Sequence, residues 1–127
     1  GDEKRLKILN QLVHPVVARD YENWLRAQRG KPYVIKEAAL LFESGSYLSL
    51  DLTGMVDAPE SVRLRRVLHR DRLRTEKQVK DIMARQLPQD KVRELADFII
   101  VNDDIQPVLP QVLALHQQWL GGRIRHS

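Results

Sequence analysis

Three arginines at positions 63, 66 and 70 have the spacing that places side chains on one face of a helix. Planar guanidinium groups bind phosphate oxygens through paired hydrogen bonds, and they stabilise the charge that spreads over those oxygens during phosphoryl transfer. A row of arginines is also typical of a solvated helix face that nearby acids balance, here Glu60 and Asp71. The spacing of Arg63, Arg66 and Arg70 alone leaves both interpretations open.

The arginine row belongs to a strongly basic stretch. Between Arg63 and Arg85 the sequence has nine lysines or arginines and three acids, whereas the whole chain carries a formal charge of +4. Such a local excess attracts phosphate, either on a small nucleotide or on the backbone of a nucleic acid. Composition does not distinguish these two ligands.

Two other polar side chains follow apolar, β-branched runs that predict strands. Glu43 comes after the run at residues 33–35, and Asn102 directly follows the run at residues 98–101. Ligands of open parallel sheets bind at the carboxyl ends of strands, so Glu43 can face a substrate and Asn102 can bond a purine edge. A helix-cap or ion-pair role for Glu43 and an Asx turn at Asn102 remain open.

The remaining candidates are histidines. His14 stands before Pro15, which makes it either a catalytic histidine beside a rigid neighbour or an ordinary helix-entry residue. The four histidines are scattered and the chain has no cysteine, so we expect no metal centre held by protein side chains. No apolar run approaches the ~20 residues of a membrane span, so we expect a soluble, cytoplasmic protein with no membrane contact.

The elements that must position these residues follow an α/β pattern. One helix is expected before His14 and a second over residues 15–27, because proline suits a first turn better than a helix interior. Apolar runs at residues 33–35, 52–56 and 98–101 predict three buried strands. The intervals between them have room for helices, which favours a parallel sheet flanked by helices.

A helical hairpin is predicted between the second and third strands. Its first helix covers residues 58–70, and a capping box at Thr75 and Gln78 begins the second. The elbow between the two helices is basic. Further helices are expected at residues 91–96 and 107–120, and Gly121 ends the last one.

Seven blocks of the sequence resemble, in order, those of the dephospho-coenzyme A kinases. They are residues 12–17 (LVHPVV), 39–45 (ALLFESG), 57–60 (DAPE), 66–71 (RVLHRD), 82–86 (IMARQ), 96–102 (ADFIIVN) and 115–116 (LH). At one position the chain departs from the family, which usually has proline where Ala39 stands. That difference affects backbone stiffness more than chemistry.

The resemblance implies a P-loop kinase fold. The family uses ATP and Mg²⁺ to phosphorylate the 3′-hydroxyl of the ribose of dephospho-coenzyme A. The resemblance further implies that residues 59–88 form a lid over ATP and that Arg66 and Arg70 are its catalytic, phosphate-facing arginines. Asn102 and Arg63 match the nucleotide side of the cleft.

The resemblance also implies an acceptor side, to which His14, Leu40 and Glu43 correspond. The sequence contains neither the phosphate-binding motif G-x-x-x-x-G-K-[ST] nor the Asp-containing segment that follows it in the family. We therefore expect residues 1–127 to be an incomplete P-loop kinase domain with little or no activity alone, in which ATP and Mg²⁺ are bound mainly by a segment outside it.

The alternative hypothesis is a basic nucleic-acid-binding module that uses the hairpin at residues 63–85. Family resemblance makes ATP and dephospho-coenzyme A the expected partners instead, with nucleic acid disfavoured. Nothing in the sequence indicates an oligomeric state.

Overall fold

A computed structural model describes residues 2–122, which divide into two compact units, one up to Lys36 and the other from Glu37. The first unit consists of α1 (Asp2–Ala27) and an irregular segment. The ring centroids of Tyr21 and Trp24 lie 6.3 Å apart, and Lys36 Nζ lies 4.6 Å from the Tyr21 centroid. Within the described residues no helix, α1 included, is both long and apolar enough to cross a membrane.

The helix break predicted at Pro15 is wrong, because α1 continues through it. Proline lacks an N–H group, so one intrahelical hydrogen bond is lost at this position. The φ angle that its ring imposes is nevertheless helical. In a helix of 26 residues the bonds on both sides of Pro15 maintain the helix.

The second unit has α/β architecture. Its two strands pair in parallel, and helices occupy the chain between and after them. The elements are a 3₁₀ turn (Ser46–Ser49), β1 (Gly54–Asp57), α2 (Glu60–Arg70), α3 (Glu76–Arg85), α4 (Gln89–Leu95), β2 (Phe98–Val101) and α5 (Val108–Leu120). This confirms the α/β class and the parallel pairing.

Of the three predicted strands, the sheet described over residues 2–122 contains two. Residues 33–38 have no regular secondary structure, and the side chains of Val34 and Ile35 are largely exposed. Strand formation requires a neighbouring edge that satisfies the backbone N–H and C=O groups. The described part of the first unit provides no second strand, so the apolar run at residues 33–35 remains irregular.

Two groups of hydrogen bonds fix the ends of the strand pair. At the amino end, the buried Thr53 donates from its backbone N to Asp97 Oδ2 over 2.7 Å and from Oγ1 to the same oxygen over 3.0 Å. At the carboxyl end, Asn102 N donates to the carbonyl of Asp57 over 2.8 Å. The register is therefore specified from both sides.

A glutamine of α5 covers one backbone edge of β2. Gln111 Oε1 accepts from Val101 N over 2.8 Å, and Gln111 Nε2 donates to Val101 O over 3.0 Å. The side-chain amide thus replaces the hydrogen bonds that a neighbouring strand would make. This ties α5 to the strand end from which Asn102 follows.

The predicted helical hairpin is formed by α2, which begins at Glu60 rather than at residue 58, and by α3. Thr75 Oγ1 accepts from Gln78 N over 3.3 Å, and Gln78 Oε1 accepts from Thr75 N over 2.9 Å, which confirms the capping box. Val79 is only 3% exposed. Its burial anchors α3 and so holds the hairpin closed on its apolar side.

Gly54 leaves room for the ring of Phe98 on the neighbouring strand. A Cβ atom at this position would overlap the ring of its register partner Phe98, which packs edge-on against Trp119 with 5.3 Å between centroids. Because Trp119 restricts the Phe98 ring, a side chain at position 54 would have to displace a packed pair of aromatic rings.

We expect Gly54→Ala to destabilise the second unit by about 1–3 kcal/mol, the usual cost of overpacking a core. Urea unfolding followed by tryptophan fluorescence measures the change. Gly121→Ala is the matched control, since a Cβ there meets nothing closer than 3.5 Å and its φ of −77° suits alanine. Equal stability of the two variants would contradict the close packing at Gly54.

Candidate phosphate-binding site

The carboxyl ends of the two strands bring a loop and a helix together. Asp57 and Val101 are register partners at the strand ends, and Asn102 follows directly. Helix α2 begins at Glu60, soon after β1. The arginine row of α2 and the loop at residues 102–106 therefore originate at the same edge of the sheet, where open parallel sheets bind ligands.

Arg66 joins α2 to this loop. Its Nη2 donates to Asn102 Oδ1 over 3.3 Å and to Asp104 Oδ1 over 2.6 Å. The neighbouring Arg65 donates from Nη2 to the other oxygen of Asp104 over 2.8 Å. One carboxylate thus contacts two guanidinium groups, and the predicted phosphate-binding Arg66 contacts the predicted nucleotide-binding Asn102.

The loop itself is shaped by Asp103. Its Oδ1 accepts from Gln106 N over 2.8 Å and from Ile105 N over 2.9 Å, an Asx turn of the kind expected here. These two backbone bonds lower the pKa of the Asp103 carboxyl below its ordinary value. The hydrogen bond from Arg66 similarly lowers the pKa of Asp104.

The other two arginines of the row differ in their surroundings. Arg63 Nε donates to the carbonyl of Ala58 over 3.2 Å, which holds its side chain against the start of α2. Arg70 is exposed in the last turn and has no hydrogen bond or ion pair within residues 2–122. From Arg63 to Arg66 to Arg70 the helix rises about 4.5 and 6 Å, so the row can contact an extended polyanion.

Asp71, a nearby acid that could balance the arginine row, pairs with another residue instead. Asp71 Oδ2 lies 2.6 Å from Arg74 Nε, and Asp71 Oδ1 accepts from Leu73 N over 3.3 Å. It therefore stabilises the elbow of the hairpin. The counter-charge of Arg66 comes from Asp104, 38 residues further along the chain.

Asp57 is a further polar group at this edge that sequence reasoning did not single out. Its Oδ2 accepts from Arg93 Nε over 2.9 Å and from Arg93 Nη2 over 2.7 Å. Its Oδ1 is buried and has no hydrogen-bond partner within the described residues. Because it is buried, this oxygen is not accessible to a ligand in this structure.

Of the three residues predicted for the acceptor side, Leu40 and Glu43 belong to the second unit and His14 to the first. Glu43 Oε1 accepts from Leu87 N over 2.9 Å, which ties the segment before β1 to the chain following α3. Leu40 is 52% exposed in a turn of the second unit. His14 lies on an exposed part of α1, in the first unit.

The arrangement suits anion binding. It offers guanidinium donors from α2 and an amide side chain from Asn102 at the carboxyl end of a parallel sheet. No group of three or more His, Asp or Glu side chains within residues 2–122 has the geometry to hold a metal ion. Sequence reasoning missed Arg65 and Asp104 as members of the site, although the Asn-Asp-Asp run was a signal for a turn there.

Known proteins similar to this chain agree on one family. A family model described as dephospho-CoA kinase matches residues 1–107. A dephospho-CoA kinase of Zymomonas mobilis is 39% identical over 94 residues, 74% of this chain and 47% of the relative. One of Mesorhizobium japonicum is 38% identical over 126 residues, 97% and 64% respectively.

A dephospho-CoA kinase of Leptospira interrogans is 34% identical over 125 residues, 95% of this chain and 58% of the relative. The chain thus spans between 47% and 64% of the length of these three curated relatives. The family model covers well over half of the chain, including both strands, α2 and the loop with Asn102. The chain belongs to the dephospho-CoA kinase family.

Proposed function

We propose that the protein to which these residues belong transfers the γ-phosphoryl group of ATP to the 3′-hydroxyl of dephospho-CoA, the final step in making coenzyme A. Family membership supports the reaction. The 3.3 Å contact between Arg66 Nη2 and Asn102 Oδ1 is the observation that links this reaction to particular residues. It joins a group suited to phosphate with a group suited to a purine.

In this proposal Arg66 and Arg70 neutralise charge on the transferred phosphoryl group. That charge spreads over the equatorial oxygens as the bond to the leaving oxygen breaks, so cations held there stabilise the transition state more than the bound substrate. Arg63 contributes to the field from the start of α2. The hairpin at residues 59–88 acts as a lid that brings this helix over the phosphates and excludes water.

Asn102 binds the adenine side of ATP. Its backbone N is held by Asp57 and its Oδ1 by Arg66, which leaves the side-chain Nδ2 group available as a donor. An amide N–H of this kind can donate to an acceptor nitrogen of a purine.

We assign His14, Leu40 and Glu43 to the binding of dephospho-CoA. Glu43 also accepts a hydrogen bond from Leu87 N, so it holds the end of the lid segment in position. Leu40 presents apolar surface in the same turn. His14 contributes from α1 as a hydrogen-bonding group.

Within the described residues no group of three or more His, Asp or Glu side chains could hold Mg²⁺ by protein ligands alone. The 127 residues also contain no phosphate-binding loop. We therefore propose that ATP phosphates and Mg²⁺ are held mainly by a segment outside these residues, and we assign no step to the metal here.

The reaction is tested with protein expressed from the complete reading frame that encodes this chain. ATP and dephospho-CoA are supplied with Mg²⁺, and coenzyme A formation is followed by mass spectrometry. Coenzyme A as acceptor is the matched control, since its 3′ position is already phosphorylated. We expect the complete protein to phosphorylate dephospho-CoA but not coenzyme A. A protein of residues 1–127 alone should phosphorylate neither. Absence of product from the complete protein, or steep salt-sensitive binding of DNA in preference to ATP, would overturn the proposal.

We expect Arg70→Ala in the complete protein to lower kcat by about 10²-fold, since it removes a cation needed at the developing charge. Steady-state kinetics with saturating substrates measures the effect. Arg72→Ala is the control, because Arg72 is an exposed residue of the elbow outside the row. A kcat for Arg70→Ala equal to that of the control would remove Arg70 from the catalytic residues.

For Asn102→Ala we expect the KM for ATP to rise about three- to tenfold, the value of one lost hydrogen bond. The KM for dephospho-CoA should change much less, because Asn102 is assigned to the adenine. Initial rates measured while each substrate is varied separately give both constants. Equal increases for the two substrates would mean that Asn102 acts through the loop rather than on ATP.

A further inference from the structure

Asp104 is the single non-glycine residue within residues 2–122 that has a positive φ, with a value of 67°. The left-handed region is unfavourable for residues with a side chain, although aspartate and asparagine tolerate it better than most. Residues held in unfavourable backbone conformations cluster at functional sites, and Asp104 lies beside a ligand-binding edge.

The neighbours of Asp104 impose its conformation. Asn102 is fixed to β1 through the carbonyl of Asp57, and Asp103 accepts the backbone N–H groups of Ile105 and Gln106. The chain therefore reverses direction between these anchors, and the carboxylate of Asp104 reaches α2. Both of its oxygens receive a guanidinium donor there.

The contact with Asp104 limits how Arg66 can bind a phosphate, because of the geometry of the guanidinium group. Arginine presents two paired-donor edges, Nε with Nη2 and Nη1 with Nη2, so Nη2 belongs to both. In the structure Nη2 of Arg66 donates to both Asn102 and Asp104. While both contacts persist, Arg66 therefore has no complete pair of donors for a phosphate, and release of Asp104 restores one pair with the Asn102 contact intact.

We propose that Asp104 competes with nucleotide phosphate for Arg66, so that a phosphate must displace this carboxylate before Arg66 binds it bidentately. The proposal rests on the proposed function for the identity of the ligand as a nucleotide. Asp104 thereby sets the affinity of the site, because each binding event exchanges an internal anion for an external one.

The exchange is favoured by the exposure of the groups involved. The side chains of Arg66 and Asp104 are 36% and 51% exposed, and ion pairs in contact with water contribute little to stability. Arg65 also keeps its 2.8 Å contact to the second oxygen of Asp104, so the released carboxylate retains a partner. Displacement is therefore reversible and leaves no charge without a counter-ion.

The test compares Asp104→Asn with the unmodified protein, both expressed from the complete reading frame. Asparagine tolerates the left-handed conformation and has nearly the same shape, but it lacks the charge that holds Arg66. We expect the Kd for ATP and for inorganic tripolyphosphate, measured by calorimetry, to fall by about three- to tenfold. Asp104→Gly, which suits a φ of 67°, should change both constants in the same direction.

The matched control is Asp103→Asn. It removes the same charge from the same loop but retains an oxygen for Ile105 and Gln106. A decrease in Kd at least twice as large for Asp104→Asn as for Asp103→Asn supports competition at Arg66. Equal decreases in Kd would mean that the effect comes only from the lower negative charge of the loop. Weaker binding by both Asp104 variants would mean that Asp104 is a positioning residue. Either outcome overturns the proposal.

Failure of this proposal can be distinguished from failure of the proposed function. If the unmodified protein forms coenzyme A but the Asp104 variants bind phosphate no tighter, competition is excluded and the kinase reaction stands. If the protein forms no coenzyme A but the variants bind tripolyphosphate tighter, competition stands and the kinase reaction is excluded.

Discussion

The parallel pairing of β1 with β2 is the interaction on which the rest of the second unit depends. Thr53 and Asp97 fix its amino end, and the Asn102 bond to the carbonyl of Asp57 fixes its carboxyl end. The two strands are far apart in sequence, so their alignment alone brings α2 and the loop at residues 102–106 to one edge. A shift in the register of the two strands would move both Asn102 and Asp104 away from Arg66.

Local signals predicted the hairpin because its causes are local. The Thr75 and Gln78 capping box and the proline before α2 each act within a few residues. The run that forms β2 became a strand because β1 supplies its neighbouring edge. The strand expected at residues 33–35 depends on a neighbouring edge, which a sequence pattern does not guarantee. The break expected at Pro15 failed for a related reason, since one missing hydrogen bond is small beside a long run of helical bonds.

The candidate site was predictable to the same extent. Spacing put Arg63, Arg66 and Arg70 on one helical face, and position after a strand identified Asn102. Pairing of Arg66 with Asp104 was not predictable, because it depends on a left-handed residue and on a contact between residues 38 positions apart. Contacts of that kind follow from tertiary structure, whereas the sequence suggested Asp71 as the nearest counter-charge.

The acids of the basic hairpin pair with some of its cations and not with others. Glu76 lies 2.6 Å from Lys80 and Asp71 lies 2.6 Å from Arg74. The hydrogen bond that Lys80 donates to Glu76 also raises the pKa of Lys80. Arg63 and Arg70, at the two ends of the row, have no acid partner in the described residues, whereas Arg66 between them is paired with Asp104. An anion that approaches α2 therefore meets uncompensated charge on both sides of a compensated arginine. In the proposed competition, a phosphate binds the whole row only when it displaces Asp104.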